Sequence, residues 1–117
     1  MIHGRLYRAD NHSCLIPHVN RTTGMLERLR GLLGAPSPAP DAALLIDPCS
    51  SVHTLFMGYA IDLAFLARDW TILKTVASLQ PWRMSACPTA GMVLELADGG
   101  LERMQLTQGL QLEWRND

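Results

Sequence analysis

The sequence predicts an α+β fold: a mainly antiparallel, barrel-like β-sheet, one amphipathic helix over about residues 22–33 and a short helical turn near 101–106. The chain has 117 residues, of which 48% are hydrophobic, and this size fits one domain, 1–117, around one core. Many short apolar runs separated by turns accompany a single substantial helical stretch. Runs spaced about 8 to 12 residues apart are typical of a curled sheet or small barrel.

The helix is predicted from one stripe of apolar residues and from the residues that bound it. The stripe recurs about every 3.6 residues and consists of Met25, Leu26, Leu29, Leu32 and Leu33. Asn20, Thr22 or Thr23 can cap the first amides, and Gly34 can close the far end. Three prolines within residues 36–40 then exclude both helix and central strand, which indicates a surface loop.

The strands are predicted from short apolar runs in the remainder of the chain. These runs cover residues 42–46, 52–57, 61–66, 71–79, 92–96 and 110–114. Residues 67–70 have the composition of a hairpin turn, and Leu101, Met104 and Leu106 are spaced for one helical turn. Residues 84–91 are interpreted as irregular.

Composition and charge exclude several classes of protein. Ten basic and eleven acidic residues give a net charge of -1 without a basic stripe, so nucleic-acid binding is not expected. No run approaches the roughly 18 to 20 apolar residues of a membrane span, and the first residues lack the apolar stretch of a signal peptide. We therefore expect a cytoplasmic protein whose three widely spaced cysteines are reduced.

Several segments, taken in order, resemble the domain of unknown function 192 family. The segments are Arg28–Gly34, Pro48–Met57, Ile61–Leu66, Pro81–Arg83, Cys87, Val93–Leu96 and Gly109. The resemblance covers residues 14–114, with departures at Gly58–Ala60 and at Leu110. It implies a compact, mainly β, partly barrel-like domain and no established activity. Some relatives are encoded beside secretion or pilus-assembly components, which implies a possible accessory role.

Cys49 and His53 lie four residues apart where a turn is predicted to enter a strand. Together with Cys87 they could form a zinc site or a Cys–His nucleophile pair. The alternative is structural, because free cysteine is among the most buried residue types. No C-x-x-C or H-E-x-x-H motif is present, and we expect no bound metal and no cofactor.

Two acidic residues interrupt apolar strands, and each has two interpretations. Asp62 lies within Ile61–Leu66, and Glu95 within Val93–Leu96. A carboxylate that points inward needs backbone amides, a hydroxyl or an arginine as partner. A carboxylate that points outward leaves the alternate apolar residues to form the core.

The functional surface is predicted at Pro48–Thr54 together with Asp62, Trp82 and Cys87. Polar groups beside apolar strands can orient a ligand in a pocket, and the candidate cleft comprises Cys49, Ser51, His53, Thr54, Asp62, Trp82 and Cys87. The alternative is a structural role: the hydroxyl groups hydrogen-bond the backbone amides of a turn, the thiols pack in the core, and Trp82 covers the end of the core.

The preferred function is a non-catalytic binding or accessory module for an unidentified protein or small molecule. No motif assembles a nucleophile, a base and an oxyanion donor. The alternative, which leaves the question of an enzyme open, is a thiol- or metal-dependent hydrolase that uses Cys49, His53 and Asp62. A homo-oligomer formed through strand edges near Trp114 is a weaker possibility.

Overall fold

The structure, a computed structural model, describes residues 1–22, 37–54 and 57–117, and these residues form mostly β-sheet. Their strands are β1 (Ile2–Arg8), β2 (Cys14–Thr22), β3 (Ala42–Ile46), β4 (Ser51–His53), β5 (Ile61–Leu66), β6 (Ile72–Leu79), β7 (Met84–Ala86), β8 (Met92–Ala97) and β9 (Leu112–Asn116). The helix among them is α1 (Gly100–Arg103). In the described part of the chain, no helix is long and apolar enough to cross a membrane.

Seven of these strands form one sheet in the order β6-β5-β8-β3-β2-β1-β9, and β4 pairs with β7 in a separate two-stranded sheet. Within the described residues, β2 and β3 run parallel, whereas all the other pairs are antiparallel. The prediction of an α+β chain with a mainly antiparallel sheet is therefore confirmed.

The two edge strands of the large sheet, β6 and β9, approach each other at one point. Thr71 and Gln111 form an isolated antiparallel bridge, beside which the Ile72 amide donates to the Leu110 carbonyl at 2.8 Å. The sheet therefore curls until its edges meet. Because no continuous ladder joins β6 to β9, the sheet is not closed, and the barrel-like form is not confirmed.

Alternation along the strands separates two apolar clusters on the two faces of the large sheet. The inner face carries the larger cluster, which includes Leu6, Ile16, Leu45, Leu66, Leu94 and Leu112. The outer face carries Ile46, Ile61, Leu63, Phe65 and Val93, against which Cys49, Val52 and Met57 pack. Since both faces are covered, every residue of β5 is buried, which explains why all of its residues except Asp62 are apolar.

The N-terminal hairpin of β1 and β2 was missed by the sequence analysis. Its strands contain many polar residues, and register shifts between Gly4 and Leu6 and between Leu6 and Tyr7 break the alternation. A period-two pattern is therefore weak, although Leu6 and Ile16 are fully buried. The interpretation of 84–91 as irregular was wrong for Met84–Ala86, because these residues pair with β4.

The two helical predictions have different outcomes. The predicted turn near 101–106 is confirmed, because α1 is followed by a hydrogen bond from the Leu106 amide to the Leu101 carbonyl. The predicted amphipathic helix over 22–33 lies outside the described residues except for Thr22, which ends β2. The strand predicted over 52–57 is described only in part and is observed as β4.

Candidate functional site

The turn between β3 and β4 forms one wall of an open recess of about 370 Å³. Pro48, Cys49, Ser50 and Ser51 line it from one side. Residues 68, 90 and 91 line it from the hairpin after β5 and the residues before β8. The recess thus contains part of the predicted segment Pro48–Thr54, and it adds an arginine that the sequence analysis did not select.

The Arg68 guanidinium is held in this recess by two contacts to the protein. Its Nη1 donates to Asp47 Oδ1 at 2.7 Å, and its Nη2 donates to the Gly91 carbonyl at 2.8 Å. The side chain nevertheless remains 58% exposed. Gly91 makes this position possible, because a Cβ there would lie 2.6 Å from Arg68 Nε.

Asp47 connects Arg68 to a second arginine. Its other oxygen, Oδ2, accepts hydrogen bonds from Arg21 Nε at 3.2 Å and from Arg21 Nη2. Burial by itself would raise the pKa of Asp47, but the hydrogen bonds from Arg21 and Arg68 outweigh burial and hold that pKa below its ordinary value. Asp47 is therefore a charged carboxylate that is paired with two arginines. We call the three residues Arg21, Asp47 and Arg68 the arginine bridge.

Arg21 in turn reaches two tryptophans. The rings of Trp70 and Trp114 are stacked, with centroids 6.1 Å apart and planes 5° from parallel. The Arg21 guanidinium carbon lies 5.4 Å from the Trp70 centroid and 5.5 Å from the Trp114 centroid, within the range of a cation–π contact. The arginine bridge thus extends from the recess to this aromatic pair.

Thr54 is one of the predicted cleft residues, and its polar groups form hydrogen bonds with the backbone of other segments. Its hydroxyl donates to the Gln80 carbonyl at 2.7 Å and accepts from the Arg83 amide at 2.8 Å. The Trp82 amide donates to the Thr54 carbonyl at 3.1 Å. Thr54 is fully buried, and its polar groups join β4 to the chain before β7.

The other predicted residues near this turn divide between core and surface. Cys49 is buried and its thiol donates to the Ser51 carbonyl at 3.0 Å. The Cys87 amide donates to the Ser50 carbonyl at 2.9 Å, which places Cys87 beside the same turn. Trp82 is 57% exposed at a φ of 64°. The three cysteines are free of disulfide bonds.

His53 lies on β4 opposite Met84. Its Nδ1 is buried, and it has no hydrogen-bond partner among the described residues. Over residues 1–22, 37–54 and 57–117 there is also no group of three or more His, Cys, Asp or Glu side chains that could hold a metal ion.

Asp62 does not lie at this turn. It points inward, and its carboxylate accepts the Ser78 amide at 2.8 Å and the Leu101 amide at 3.0 Å. It alternates with Ala64 of the inner cluster, whereas Cys49 packs against the outer face. The sheet thus separates Asp62 from Cys49, and the geometry does not assemble the hydrolase arrangement considered from the sequence.

Glu95 points toward the outer face and is only 2% exposed. Its Oε2 has no hydrogen-bond partner in the described part of the chain. Burial raises the pKa of Glu95 to about 7. Burial, and then the charge of Glu95, also raises the pKa of Tyr59. Glu95 is therefore a buried acid that titrates near neutrality, and Tyr59 is close enough to sense its charge.

Sequence reasoning missed the arginine bridge and the tryptophan pair. The one local signal was Asp47, which directly follows an apolar strand and precedes Pro48. Arg21 lies 26 residues before Asp47, and Arg68 lies 21 residues after it. No local pattern relates residues at such separations, because only strand pairing brings them together.

Comparison with known proteins identifies a family and a fold. The pattern of the domain of unknown function 192 family, described as "Uncharacterized ACR", matches residues 10–114. No curated protein matches the chain significantly. Similarity to a solved structure at less than 25% identity supports the fold alone, because one fold can carry many functions.

Two solved structures have the same fold. One is a protein from Sinorhizobium meliloti 1021 with a suggested role as a transcription regulator; it is 24% identical, with a TM-score of 0.78 over 97% of this chain and 92% of that chain. The other is a protein of unknown function from Novosphingobium aromaticivorans DSM 12444, 18% identical, with a TM-score of 0.69 over 96% and 84% of the two chains. Since the family pattern spans nearly the whole sequence, this chain belongs to the domain of unknown function 192 family.

Proposed function

We propose that this protein is a non-catalytic binding domain that holds an acidic group, a carboxylate or a phosphate, in the recess at the β3–β4 turn. The observation that carries the proposal is the state of Arg68, which is fixed in direction by Asp47 and Gly91 yet remains 58% exposed in the recess. The acidic group would belong to a small molecule or to a partner protein.

Arg68 has the donor capacity that such a ligand needs. A guanidinium carries five N–H donors in a planar fork, and the contacts to Asp47 and Gly91 use two of them. The remaining donors suit the bidentate geometry of a carboxylate or phosphate. Because Arg68 is already ordered, binding costs less side-chain entropy than it would for a free surface arginine.

The local charge also favours an anion. Asp47 contributes one negative charge between the two positive charges of Arg21 and Arg68, so the arginine bridge retains one net positive charge. Ser50 and Ser51 line the same recess, and their hydroxyls can donate to further oxygens of a ligand. An acidic group would therefore meet one fixed cation and two adaptable donors.

A binding role is favoured over hydrolysis by the positions of the candidate catalytic groups. The two oxygens of Asp62 accept backbone amides on the inner face, and the Cys49 thiol donates to a carbonyl. Neither group is available to activate a nucleophile in this arrangement.

We also propose the domain organisation, the location and the form of the sheet. We treat residues 1–117 as one domain, acting in the cytoplasm, and its sheet as barrel-like. The bridge between Thr71 and Gln111 supports the barrel-like form. Of the predicted cleft residues, Cys49 and Ser51 belong to the proposed site, and Thr54 and Asp62 do not.

Titration calorimetry with inorganic phosphate and with succinate tests the proposal. We expect saturable binding of at least one of them that weakens by about tenfold or more in Arg68→Ala, since hydrogen bonds to charged groups contribute about 1.5 to 3 kcal/mol. Arg83→Ala is the matched control, because Arg83 is exposed and lies outside the recess. Its affinity should equal that of the wild type.

Two results would overturn the proposal. One is the absence of saturable binding of both probes at low ionic strength. The other is equal affinity of wild type and Arg68→Ala, which would show that the probes bind elsewhere. Preserved thermal unfolding of Arg68→Ala is expected, because Asp47 keeps Arg21 as a partner.

A further inference from the structure

The two-stranded sheet of β4 and β7 has one face against the large sheet and one face toward solvent. Val52 packs in the outer cluster, so its neighbours Ser51 and His53 point away from the large sheet, because successive side chains of a strand alternate between faces. Met84 lies opposite His53, and Ala86 lies opposite Ser51, on the same face. We call this solvent-facing side, formed by Ser51, His53, Met84 and Ala86, the docking face.

Two large apolar side chains are exposed at this face. Met84 is 71% exposed, and Trp82, two residues before it, is 57% exposed. In the described part of the chain, the other large apolar side chains with comparable exposure are Met1 and Ile2 of the N-terminus. The Trp82 amide donates to the Thr54 carbonyl at 3.1 Å, which places Trp82 beside the end of β4. Aromatic residues and methionine are enriched in protein interfaces relative to other surfaces.

The backbone of Trp82 is held in an unfavourable conformation while its indole is exposed. Its φ of 64° lies in the left-handed region, which is rare for a bulky residue. Hydrogen bonds on both sides maintain this conformation, because the Arg83 amide donates to Thr54 Oγ1 at 2.8 Å and the Trp82 amide donates to the Thr54 carbonyl. Backbone strain that the surrounding structure maintains is concentrated at binding sites.

The docking face is continuous with the recess at the β3–β4 turn. Ser51 lines that recess together with Arg68, and it is also the first residue of β4. His53 lies two residues further, about 7 Å along the strand, and Met84 lies beside it. An extended chain with an acidic group at Arg68 would therefore reach Met84 or Trp82 with a side chain about three residues away.

The charges around the docking face favour an acidic partner. Residues 48–61 and 70–94 contain no acidic residue, and Glu95, which follows them, is buried beneath the outer face. Lys74 Nζ donates to a carbonyl of β7 at 2.9 Å, and Arg83 Nη1 donates to the carbonyl of the preceding residue at 3.4 Å. Both cations therefore add positive charge beside the face, and complementary charge on a partner would suit it.

We propose that the docking face binds an extended acidic segment of a partner protein, with a carboxylate on Arg68 and an apolar side chain about three residues away on Met84 and Trp82. The inference rests on the proposed function, since it assigns the acidic group at Arg68 to a protein. A second copy of this chain is disfavoured, because two docking faces would bring like charges together. A lipid surface is disfavoured because Lys74 and Arg83 bond to backbone carbonyls, whereas anionic lipids are bound by clusters of basic side chains.

Selection from a phage-displayed library of random dodecapeptides on the immobilised wild-type protein tests this inference. We expect enriched peptides in which an acidic residue lies two to four positions from an aromatic or large aliphatic residue. The corresponding synthetic peptides, measured by fluorescence anisotropy, should bind with a Kd of about 100 μM or tighter. Met84→Ser should weaken this binding by about fivefold and Trp82→Asn by about tenfold or more. Asparagine is chosen because it tolerates the left-handed conformation.

Ile2→Ser is the matched control, because Ile2 is an exposed apolar residue of β1 and lies outside the docking face. Arg68→Ala should weaken binding of both the peptides and the small acidic probes, whereas Met84→Ser should weaken binding of the peptides alone. This contrast separates failure of the inference from failure of the proposed function. If Trp82→Asn fails to fold, Met84→Ser carries the test, because its side chain is mostly exposed.

Several results would overturn the inference. One is a selection that enriches no such peptides, and another is a peptide affinity that Met84→Ser leaves unchanged. A dimer in sedimentation velocity that Met84→Ser dissociates would assign the docking face to a second copy of the chain. Binding to phosphatidylglycerol vesicles that Met84→Ser abolishes would assign it to a lipid surface.

Discussion

Asp47 and Asp62 are both buried carboxylates, but they lie at opposite ends of the large sheet. Asp47 follows β3, and Asp62 lies near the start of β5, which runs in the same direction as β3 because both are antiparallel to β8. Asp62 accepts two backbone amides. Asp47 accepts two arginine side chains, of which one is mostly exposed.

The difference in partners distinguishes the two carboxylates. Asp62 stabilises the fold, whereas Asp47 positions side chains that line a proposed binding site. Asp62 accepts the amides of Ser78 and Leu101, and these two hydrogen bonds help to join β6 and α1 to β5. The arginine partners of Asp47 carry further donors that can reach a ligand. Glu95 extends the comparison, because its buried Oε2 has neither kind of partner among the described residues.

The largest effect on stability is expected when the hydrogen bonds of Asp62 are removed. Asp62→Ala leaves two amides without an acceptor, and each hydrogen bond to a charged group contributes about 1.5 to 3 kcal/mol. We expect a loss of about 4 kcal/mol in the free energy of unfolding, measured by urea denaturation. Asp98→Ala, at an exposed position, is the control and should change it by less than about 0.5 kcal/mol. A loss below about 1 kcal/mol for Asp62→Ala would contradict this account.

Glu95 tests the effect of a buried carboxylate oxygen, Oε2, that has no hydrogen-bond partner among the described residues. Its pKa is raised from 4.5 to about 7 in the folded state. As the pH rises from about 4.5 to 7, the unfolded state ionises first, so the folded state should lose about 3 kcal/mol of stability. Glu95→Gln should remove this loss and be the more stable protein above pH 7. Glu102→Gln, at an exposed position, should retain the wild-type pH dependence.

A smaller loss of stability is expected when Asp47 is replaced. Asp47→Ala leaves the Arg21 side chain, which is 23% exposed, without its charge partner, and we expect a loss of about 2 kcal/mol. Because the pKa of Asp47 is lowered in the folded state, its contribution is present above about pH 4 and is lost as the pH falls through the folded-state value. The variant should therefore show a shallower acid limb in pH-dependent unfolding. An unchanged acid limb would contradict the pairing.

The smallest effect on stability is expected for Arg68→Ala. The Arg68 side chain is 58% exposed, and exposed ion pairs contribute about 0 to 1 kcal/mol. Thermal unfolding should therefore change little, and less than in Arg21→Ala, whose side chain is more buried. A destabilisation by Arg68→Ala equal to that of Arg21→Ala would show that Arg68 supports the fold rather than a site.

Much of the fold could be predicted from local patterns. Five of the predicted apolar runs coincide closely with strands, because apolar residues in short segments bounded by turns have few alternatives. The helical turn after Leu101 followed from spacing alone. The strands β1 and β2 could not be predicted, since their register shifts disrupt the alternation of apolar and polar residues that marks a strand in a sequence.

The candidate site was predictable only in part. Sequence reasoning selected Cys49 and Ser51 because thiol and hydroxyl groups stood beside an apolar strand, and both line the recess. The same reasoning selected Asp62 and Thr54, whose polar atoms are instead used by backbone groups of distant segments. The type of side chain does not reveal whether its partner is a ligand or the backbone, because both form the same hydrogen bonds.

The sequence by itself determined the family, the β-rich composition and the residue types at the β3–β4 turn. The tertiary structure alone decided which charges meet. Arg21, Asp47 and Arg68 belong to three strands or turns that become neighbours through one parallel and two antiparallel pairings. Electrostatic and hydrogen-bond partners are set by distances of a few ångströms, and such distances between remote residues exist only after the strands have paired.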